Sequence, residues 1–365
     1  MKTRIALIGG FLGAGKTTLL WKMAEKLSEQ GNIVGLITND QASELVDTAF
    51  LTKAGGVTTE VSGSCFCCNF NGFADAIGMM KQEHKVDIII AEPVGSCTDL
   101  SATIMQPLKD KWKEELIISP LNVLVDPVRL AAILNGETSG LHSSAAYIVE
   151  MQLEEADYIV INKMDLLSQE EAAALKERTI RKWSQAKVYT ISGQTGEGLE
   201  DWMRDALSNT DAGTHLAEID YDVYAEGEAV LGWLNTDIKL ESSSVDWNVF
   251  TENLLKALGD RFDSIGAAVG HVKLMLEDDN EYILGNITGK RNTMKIRGVV
   301  GKNDIVKLTL NARVEMNPQN LQKLVMEVLE QTCKDEVKYT IQVIKCLQPG
   351  RPNPTYRYDT VVNYN

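Results

Sequence analysis

Short apolar runs alternate with amphipathic segments over the first two hundred residues of the chain. Mainly apolar runs occur at 4–8, 33–38, 86–91, 121–125, 158–161 and 188–191. Helical periodicity occurs at 18–27, 73–83, 101–114, 127–134, 145–155, 170–183 and 199–207. Apolar strands separated by amphipathic helices are typical of a mainly parallel sheet covered by helices on both faces. The pattern predicts an α/β domain over residues 1–210, with its ligand at the carboxyl ends of the strands.

A different pattern begins after residue 210. Residues 211–228 are polar and acidic, and we interpret them as a linker. Strand-like runs then occur at 230–240, 270–277, 282–288, 305–316 and 339–346, with helical runs at 247–258 and 321–332. Two β–α passages with antiparallel strands between them predict a smaller α+β domain over residues 229–348, for which a ferredoxin-like sandwich is one candidate. The proline-rich tail, 349–365, is expected to be extended, either docked on a partner or lying along the protein's own surface.

Length and composition fit two domains and restrict the partners. The chain has 365 residues, of which 44% are hydrophobic, and this is too long for one average domain. No apolar run approaches a membrane span, and a strand beginning at residue 4 leaves no room for a signal peptide, so we expect a cytoplasmic protein. A net charge of -15 argues against a nucleic-acid partner, because phosphate neutralisation needs a basic face. Six cysteines, three of them within four positions, indicate a thiol site in a reducing compartment.

The first predicted strand is followed by a phosphate-binding motif. Residues 10–17 read G-F-L-G-A-G-K-T, which fits the P-loop pattern G-x-x-x-x-G-K-S/T between a strand and a helix. Glycines let backbone N–H groups approach phosphates, and the helix N-terminus adds partial positive charge. We expect Lys16 to reach the β- and γ-phosphates and Thr17 to hold Mg²⁺. The predicted phosphate-binding residues are Gly10, Gly13, Ala14, Gly15, Lys16, Thr17 and Thr18.

The run at 158–161 ends in a tetrapeptide that indicates guanine recognition. Residues 162–165 read N-K-M-D, which fits the N-K-x-D motif of P-loop GTPases. There the aspartate accepts two hydrogen bonds from guanine N1 and N2. Adenine offers no such donor pair and would leave the carboxylate unpaired, at a cost of about 1–3 kcal/mol. The predicted base-binding residues are Asn162, Lys163 and Asp165, joined by Ser192 and Gly193 after the last strand.

A further acidic turn follows the run at 86–91. Residues 92–95 read E-P-V-G. An acidic residue at this strand end can hold Mg²⁺ through water, and the glycine N–H can sense the γ-phosphate. A solvated turn is the alternative. The position at the end of a strand favours the nucleotide, so we predict Glu92 to be an Mg²⁺ ligand or a catalytic residue.

Three cysteines lie close together in the sequence. Residues 65–68 read C-F-C-C. Thiolates with this spacing can converge on one soft cation such as Zn²⁺, Cu⁺ or Co²⁺. The alternative is a small buried apolar cluster, since cysteine packs well. The clustering favours a transition-metal site made by Cys65, Cys67 and Cys68.

These motifs together resemble the CobW family of GTPases, relatives of the nickel chaperones of urease and hydrogenase maturation. The resemblance rests on G-F-L-G-A-G-K-T-T-L-L at 10–20, C-x-C-C at 65–68, E-x-x-G at 92–95 and N-K-x-D at 162–165. It implies a GTP-dependent metallochaperone or metallocentre-assembly factor, some members serving cobalamin synthesis or zinc homeostasis. It also implies Mg²⁺, a slow GTPase with mobile switch loops, a separate C-terminal domain, and a client metalloprotein or corrinoid protein. A GTP-dependent dimer is one candidate assembly.

The chain departs from the family after its second strand. Family members usually read E-N-E-F-G-E followed by an aspartate, whereas residues 38–43 read T-N-D-Q-A-S. Asn39, Asp40 and Asp47 keep the pattern, but both outer glutamates are missing. Because those carboxylates contribute to metal binding in the family, we expect a different ligand set here. The four histidines are scattered, so a zinc-reservoir role is not expected.

Cys97 suggests a replacement for the missing carboxylates. It lies two residues past Gly95, on the loop after the acidic turn. If the cysteines at 65–68 lie beside this loop, Cys97 can supply a fourth thiolate, which would favour Zn²⁺ or Cu⁺. A bystander cysteine is the alternative.

The predicted reaction is phosphoryl transfer from GTP to water. Thr17 with Asp47 or Glu92 positions Mg²⁺, and Asp40 and Glu92 are the candidates for orienting the water. Two other interpretations stay open. One is a GTPase that regulates or reactivates a metallo- or corrinoid enzyme without carrying metal. The other is an ATP-dependent, kinase-like P-loop protein, which the N-K-x-D motif disfavours.

Overall fold

The structure is a computed structural model that describes residues 2–40, 46, 57–278, 280–289, 294–334 and 336–363. These residues divide into two compact units. The first unit comprises the described residues up to Gly227 other than Val46, together with 351–363. The second unit comprises Val46 and the described residues from Glu228 to Gly350. The tail therefore returns to the first unit.

The first unit alternates strands and helices. Its strands are β1 (Thr3–Gly10), β2 (Val34–Asp40), β3 (Val57–Ser62), β4 (Ile88–Glu92), β5 (Leu116–Ile118), β6 (Asn122–Val125), β7 (Tyr158–Ile161) and β8 (Lys187–Thr190). Its helices are α1 (Lys16–Glu29), α2 (Phe70–Gln82), α3 (Gln106–Lys111), α4 (Pro127–Leu134), α5 (Ser143–Glu154), α6 (Gln169–Lys182), α7 (Leu199–Ser208) and α8 (Tyr221–Ala229). A π-helical turn at Ser101–Met105 leads into α3, and a 3-10 turn at Met164–Leu166 follows β7.

All the strand pairs of the first unit are parallel. The order across the sheet is β3-β2-β4-β1-β6-β7-β8, and β5 pairs with the first half of β1. The chain winds from β1 towards β3 and then back across the sheet, and right-handed crossovers in both directions put helices on both faces. The predicted α/β fold is therefore confirmed. Winding reverses beside β1, so the crevice at the carboxyl end of β1 is the expected ligand site.

Three local features of the first unit differ from the predictions. The strands β3 and β5 were not predicted, because β3 is a half-buried edge strand with no apolar run and β5 has three residues. The segment 211–228, interpreted as a linker, contains most of α8 and is held by polar contacts. The N–H groups of Gly213 and Thr214 donate to the buried Asp157 carboxylate at 2.6 and 2.8 Å. Such contacts leave no hydrophobic periodicity in the sequence.

The second unit is a six-stranded antiparallel sheet with two helices. Its strands are β9 (Leu231–Glu241), β10 (Val269–Glu277), β11 (Tyr282–Ile287), β12 (Lys295–Val299), β13 (Ile305–Glu315) and β14 (Lys338–Leu347), and its helices are α9 (Trp247–Ser264) and α10 (Pro318–Cys333). The order is β12-β11-β10-β13-β9-β14. Removing the inserted β11 and β12 leaves β9-α9-β10 and β13-α10-β14, which is a ferredoxin-like arrangement. No helix among the described residues has the length and apolar character needed to cross a bilayer.

Candidate functional site

The loop between β1 and α1 has the backbone conformation of an anion-binding loop. Gly10, Gly13 and Gly15 have φ values of 124°, 81° and 98°, which L-residues rarely adopt. A Cβ on Gly10 would lie 2.1 Å from Leu124 O, and one on Gly15 would lie 2.5 Å from Asn162 Nδ2. Because α1 begins at the next residue, its N-terminus adds partial positive charge to this loop. The backbone therefore fits a phosphate group.

Three buried side chains meet at the start of α1 and the end of β4. Lys16 Nζ donates to Gly10 O at 2.8 Å and lies 3.8 Å from Glu92 Oε1. The Thr17 hydroxyl lies 3.4 Å from both oxygens of Glu92. A Cβ on Gly95 would lie 3.1 Å from Lys16 Nζ, so the acidic turn approaches the same lysine. A hydroxyl facing a carboxylate beside a phosphate loop is a donor set that suits Mg²⁺.

The N-K-x-D residues connect the phosphate loop to the loop after β8. Asn162 Nδ2 donates to Ala14 O at 2.9 Å, and Asn162 Oδ1 accepts from Gly193 N at 2.9 Å. Lys163, in the left-handed region with φ 62°, donates from Nζ to Gly13 O at 2.7 Å. The amide of Asn162 is thus a buried brace between two loops that are far apart in sequence.

Asp165 and Ser192 form the outer part of this region. The Ser192 hydroxyl donates to Asp165 Oδ1 at 2.6 Å and accepts from Thr195 N at 3.1 Å. The Asp165 side chain is exposed, so its carboxylate is accessible to a base. The structure therefore brings together the predicted phosphate- and base-binding residues, and Thr18 lies in the first turn of α1 beside them.

Arg129 is a residue at the phosphate loop that the sequence did not reveal. Its Nη1 donates to Leu12 O at 2.6 Å, and its guanidinium lies 4.9 Å from the centre of the Phe11 ring. Burial lowers its pKa, and the nearby Asp126 charge partly opposes this. In the described chain, Arg129 Nε has no hydrogen-bond partner. The sequence signal that could have revealed Arg129 is Asp126-Pro127, directly after β6. Asp126 caps α4 at the same edge of the sheet as the other motifs, so the first turn of α4 places Arg129 there.

The predicted acidic residues Asp40 and Asp47, at and beyond the end of β2, have different outcomes. Asp40 is the last residue of β2, in register with Ser62 of β3, so its backbone lies at the carboxyl end of the sheet. Asp47 lies outside the described residues. The roles of both in holding Mg²⁺ or orienting water stay predictions.

The cysteines at 65–68 form a tight turn between β3 and α2. Cys68 N and Asn69 N both donate to Cys65 O, at 3.1 and 2.9 Å, and Asn69 then caps α2 by accepting from Gly72 N at 3.1 Å. This turn brings the ligand atoms of Cys65, Cys67 and Cys68 within 4.8 Å of one another. We call these three side chains the thiol cluster. Cys65 and Cys67 are buried, and their sulfurs are 3.0 Å apart.

Asn39 holds this turn against the sheet. Its Nδ2 donates to Val61 O at 2.7 Å and to Ser64 O at 2.8 Å, while its Oδ1 accepts from Phe66 N at 2.8 Å. The Phe66 ring stacks on Phe73 of α2 with centroids 4.2 Å apart. One buried amide therefore satisfies three backbone groups, in β3, before the turn and in the turn itself, which explains an asparagine near the end of β2.

The loop after β4, residues 92–99, lies beside the thiol cluster. Cys97 is buried, and its thiol is close enough to those of Cys65 and Cys67 to shift the pKa values of both. Gln152 of α5 holds the loop by two hydrogen bonds: its Nε2 donates to Gly95 O at 3.1 Å and to Cys97 O at 2.7 Å. The structure thus places Cys97 next to the cluster, and the same loop begins at Glu92 beside Lys16.

The thiols share one favourable position for negative charge. Hydrogen bonds from Cys67, Cys68 and Cys97 lower the pKa of Cys65 well below its usual range. The hydrogen bond with Cys65 raises the pKa of Cys67, and a similar bond raises the pKa of Cys68 to about 11. A thiolate with two further thiols within 4.8 Å, and with Cys97 nearby, is a donor set that suits a soft cation with a high preference for sulfur.

Two carboxyl groups are buried next to the loop 92–99. Glu155 accepts from Ser101 N at 2.8 Å and from the Thr98 hydroxyl at 3.1 Å, and burial raises its pKa to about 8. Asp99 accepts from the Tyr221 hydroxyl at 2.7 Å, and burial raises its pKa as well. These groups hold the far end of the loop.

A parallel sheet with a phosphate loop, an acidic turn and a base-binding motif at its strand ends defines a P-loop nucleotide-binding domain. Residues 4–190 match the family model "CobW/HypB/UreG, nucleotide-binding domain", which spans just over half of the 365 residues. The chain belongs to the CobW/HypB/UreG family, so the predicted resemblance is confirmed.

Individual relatives match parts of the chain. It is 25% identical over 214 residues to zinc-regulated GTPase metalloprotein activator 1 of Schizosaccharomyces pombe, covering 56% of this chain and 50% of that protein. It is 29% identical over 188 residues to the zinc chaperone YeiR of Escherichia coli, covering 50% and 52%. The solved structure of HypB from Helicobacter pylori in complex with nickel is 17% identical, with a TM-score of 0.41, over 60% of this chain and 91% of that chain. The chain spans about half the length of the curated relatives it matches.

Proposed function

We propose that this protein is a GTP-hydrolysing metallochaperone or metallocentre-assembly factor that carries zinc on the thiol cluster. One observation carries the proposal. The loop 92–99 reaches the phosphate loop through Glu92 and Gly95, and it reaches the thiol cluster through Cys97. A change at the γ-phosphate can therefore move a thiol against its neighbours. Names such as zinc chaperone among the relatives support zinc as the cargo.

GTP hydrolysis would use the residues around the start of α1. Lys16 and the amides of the phosphate loop would neutralise the phosphates. Thr17 and Glu92 would hold Mg²⁺, with Asp47 as a further candidate, and Mg²⁺ when bound neutralises charge on the β- and γ-phosphates. Asp40 and Glu92 are the candidates for orienting the water. Slow intrinsic turnover is expected, as in GTPases whose switch is completed by a partner.

Guanine selectivity would come from the exposed carboxylate of Asp165. Competition by unlabelled GTP, ATP and GDP against a fluorescent GTP analogue tests this, in the wild type and in Asp165→Asn. Strong competition by guanine nucleotides alone, lost in the variant, supports the proposal. Equal competition by ATP would instead support a kinase-like P-loop protein.

The metal would be held by Cys65, Cys67 and Cys68, with Cys97 as a fourth ligand. Four thiolates would give a closed tetrahedral site, whereas three leave a position for exchange. Zinc titration of Cys97→Ser tests this role, with Cys346→Ser of the second unit as the matched control. A lower zinc affinity in Cys97→Ser alone supports the fourth ligand. Unchanged affinity and stoichiometry would remove Cys97 from the site.

The main experiment measures metal content together with GTP turnover. The purified, reduced protein is analysed for bound metal and assayed for GTP turnover, each with and without a chelator. Zinc affinity is then compared in the presence of a non-hydrolysable GTP analogue and of GDP. Stoichiometric zinc with a different affinity in the two nucleotide states supports a GTP-driven carrier. Equal affinities would refute coupling between the two regions.

The short Cys65–Cys67 sulfur separation of 3.0 Å favours one second candidate. In it, the protein is a GTPase that regulates or reactivates a metallo- or corrinoid enzyme, and its cysteines are redox-active rather than metal-binding. GTP turnover without stoichiometric metal would favour this alternative. In either case we propose a client metalloprotein or corrinoid protein as partner. We also propose a reducing, cytoplasmic location, because three cysteines crowded into four positions are typical of a thiol site and not of a disulfide framework. A GTP-dependent dimer stays a candidate assembly.

A further inference from the structure

The C-terminal segment 351–363 lies on the thiol cluster. It has no regular secondary structure and belongs to the first unit. Thr355 N donates to Cys67 O at 2.8 Å, and the Thr355 hydroxyl donates to Cys68 O at 3.1 Å. Asn353 N donates to the sulfur of Cys68 at 3.2 Å. The segment therefore binds the backbone of the cysteine turn and one of the predicted metal-ligating atoms.

Aromatic and main-chain contacts add to the hydrogen bonds between this segment and the cysteine turn. The Tyr356 ring packs edge-on against Phe70, the first residue of α2, with centroids 5.3 Å apart. Lys111 Nζ lies 4.7 Å above the same ring. Further along, Tyr358 N donates to Ala102 O at 3.1 Å. The segment therefore contacts α2, the π-helical turn and α3 as well as the cysteine turn.

An ion pair ties the segment to the loop 92–99. Arg357 Nε donates to Asp99 Oδ2 at 2.8 Å, and the Asp99 side chain is 1% exposed. Asp99 lies two residues after Cys97, in the left-handed region with φ 65°. A buried carboxylate that loses a cationic partner is costly to keep, so Arg357 is a strong anchor. The loop that contacts Lys16 and carries Cys97 also holds the tail.

We propose that residues 351–363 are a latch on the thiol cluster: Cys68 is half-buried in contact with them, and their departure gives a metal acceptor or a thiol reagent full access to its sulfur. The N–H group of Asn353 donates a hydrogen bond to the sulfur of Cys68. A metal acceptor that approaches this sulfur therefore competes with the segment for it. A latch of this kind would hold a metal during transit and release it when a client displaces the segment. Retention of a metal by the latch rests on the function proposed above. Coverage of Cys68 by residues 351–363 does not depend on that function.

The first test measures alkylation in the metal-free, reduced protein. Iodoacetamide labelling of each cysteine is followed by mass spectrometry in the wild type, in a chain ending at Gly350, and in Arg357→Gln. Val361→Ser is the control, because that side chain is 40% exposed. We expect Cys68 labelling to accelerate about tenfold in the shortened chain and in Arg357→Gln. Both changes remove the charge-assisted hydrogen bond between Arg357 and Asp99, which opposes local opening of the segment. Labelling of the control should match the wild type.

A synthetic peptide of residues 351–365, added to the shortened chain, should slow Cys68 labelling again. Equal labelling rates in the wild type, the shortened chain and Arg357→Gln would overturn the latch. If the shortened chain does not fold, as judged by its circular dichroism, Arg357→Gln alone decides the question. Rescue by the peptide is not expected from a general loss of stability.

The second test measures zinc transfer from the loaded protein to a chromogenic chelator by stopped flow. Faster transfer in Arg357→Gln than in Val361→Ser, at equal zinc stoichiometry, supports the latch. Equal transfer rates would show that the segment does not control the metal. If no variant binds zinc, the proposed metal carriage fails, while the alkylation result still decides whether the segment covers Cys68.

Discussion

The phosphate loop and the thiol cluster lie in the same unit, at strand ends of one sheet, but they are held in different ways. The phosphate loop is a continuous stretch whose shape comes from glycine backbone conformations and from one helix N-terminus. The thiol cluster is held by side chains and strands from distant parts of the chain: Asn39 of β2, Gln152 of α5 through the loop 92–99, and the segment around Thr355.

This difference determines which amino-acid substitutions each region tolerates. Backbone amides carry the anion-binding property, so most side chains around the phosphate loop can vary while the glycines and Lys16 cannot. The thiol cluster depends on side chains and on contacts across the fold, so a substitution far from residue 65 can alter it. We therefore expect damage at one region to leave the other intact, except along the loop 92–99 that contacts both.

The largest expected effect is at Lys16. In Lys16→Ala, GTP turnover should fall by about 10²–10³-fold, because a preorganised donor to the developing phosphate charge is lost. Phosphate release with Mg²⁺ measures this, and Lys22→Ala, on the same helix, is the control. Zinc affinity without nucleotide should be unchanged. A parallel loss of zinc binding would show that the two regions are not separable.

The next effect is at Cys67. In Cys67→Ser, zinc affinity should fall by about 100-fold or more, since even changes around the ligands cost about 10–100-fold. Competition with a calibrated chelator measures the affinity, and Cys346→Ser is the control. GTP turnover of the metal-free protein should match the wild type. A drop in turnover without metal would mean that the cysteine turn acts directly on the nucleotide.

A smaller effect is expected at Glu155, beside the loop that joins both regions. Its pKa is raised from 4.5 to about 8 by burial, so the folded protein retains a proton there that the unfolded chain has lost. The stability from this group is present at low pH and is lost as pH rises from 4.5 to about 8. Glu155→Gln should therefore raise the unfolding midpoint at pH 9 by a few °C relative to the wild type.

The matched control for this pH dependence is Glu154→Gln, because Glu154 is the exposed neighbour of Glu155. Its melting temperatures at pH 6 and pH 9 should both match those of the wild type. An equal difference between the wild type and Glu155→Gln at the two pH values would contradict the raised pKa.

The smallest effect is expected at Arg129. Lysine keeps the charge but lacks the planar group that both donates to Leu12 O and lies 4.9 Å from the centre of the Phe11 ring. Turnover in Arg129→Lys should fall several-fold, with little change in zinc affinity. Steady-state kinetics measure this, and Arg178→Lys on α6 is the control. Wild-type turnover in Arg129→Lys would leave the arginine with a purely structural role.

Sequence reasoning was most successful where the physical cause is local. The strand β1, the glycines after it and the first turn of α1 follow one another directly, and α4 was predicted with its observed bounds. Reasoning was least successful for β3, an edge strand with no apolar run, and for the segment 211–228, which polar contacts to distant residues hold in place. Arg129 was missed for a related reason: an arginine on a helix is ordinary until its target, Leu12 O, is known to be near.

The sequence by itself determined the phosphate loop, the base-binding motif and the presence of three thiols in one turn, because each depends on neighbours along the chain. Only the tertiary structure decided that Cys97 lies against those thiols, that Asn39 and Gln152 hold the two loops, and that the tail lies over Cys68. The contact between Thr355 and Cys68, for example, joins residues 287 positions apart. No local propensity records them, since they arise from the packing of strands and loops around a common sheet edge.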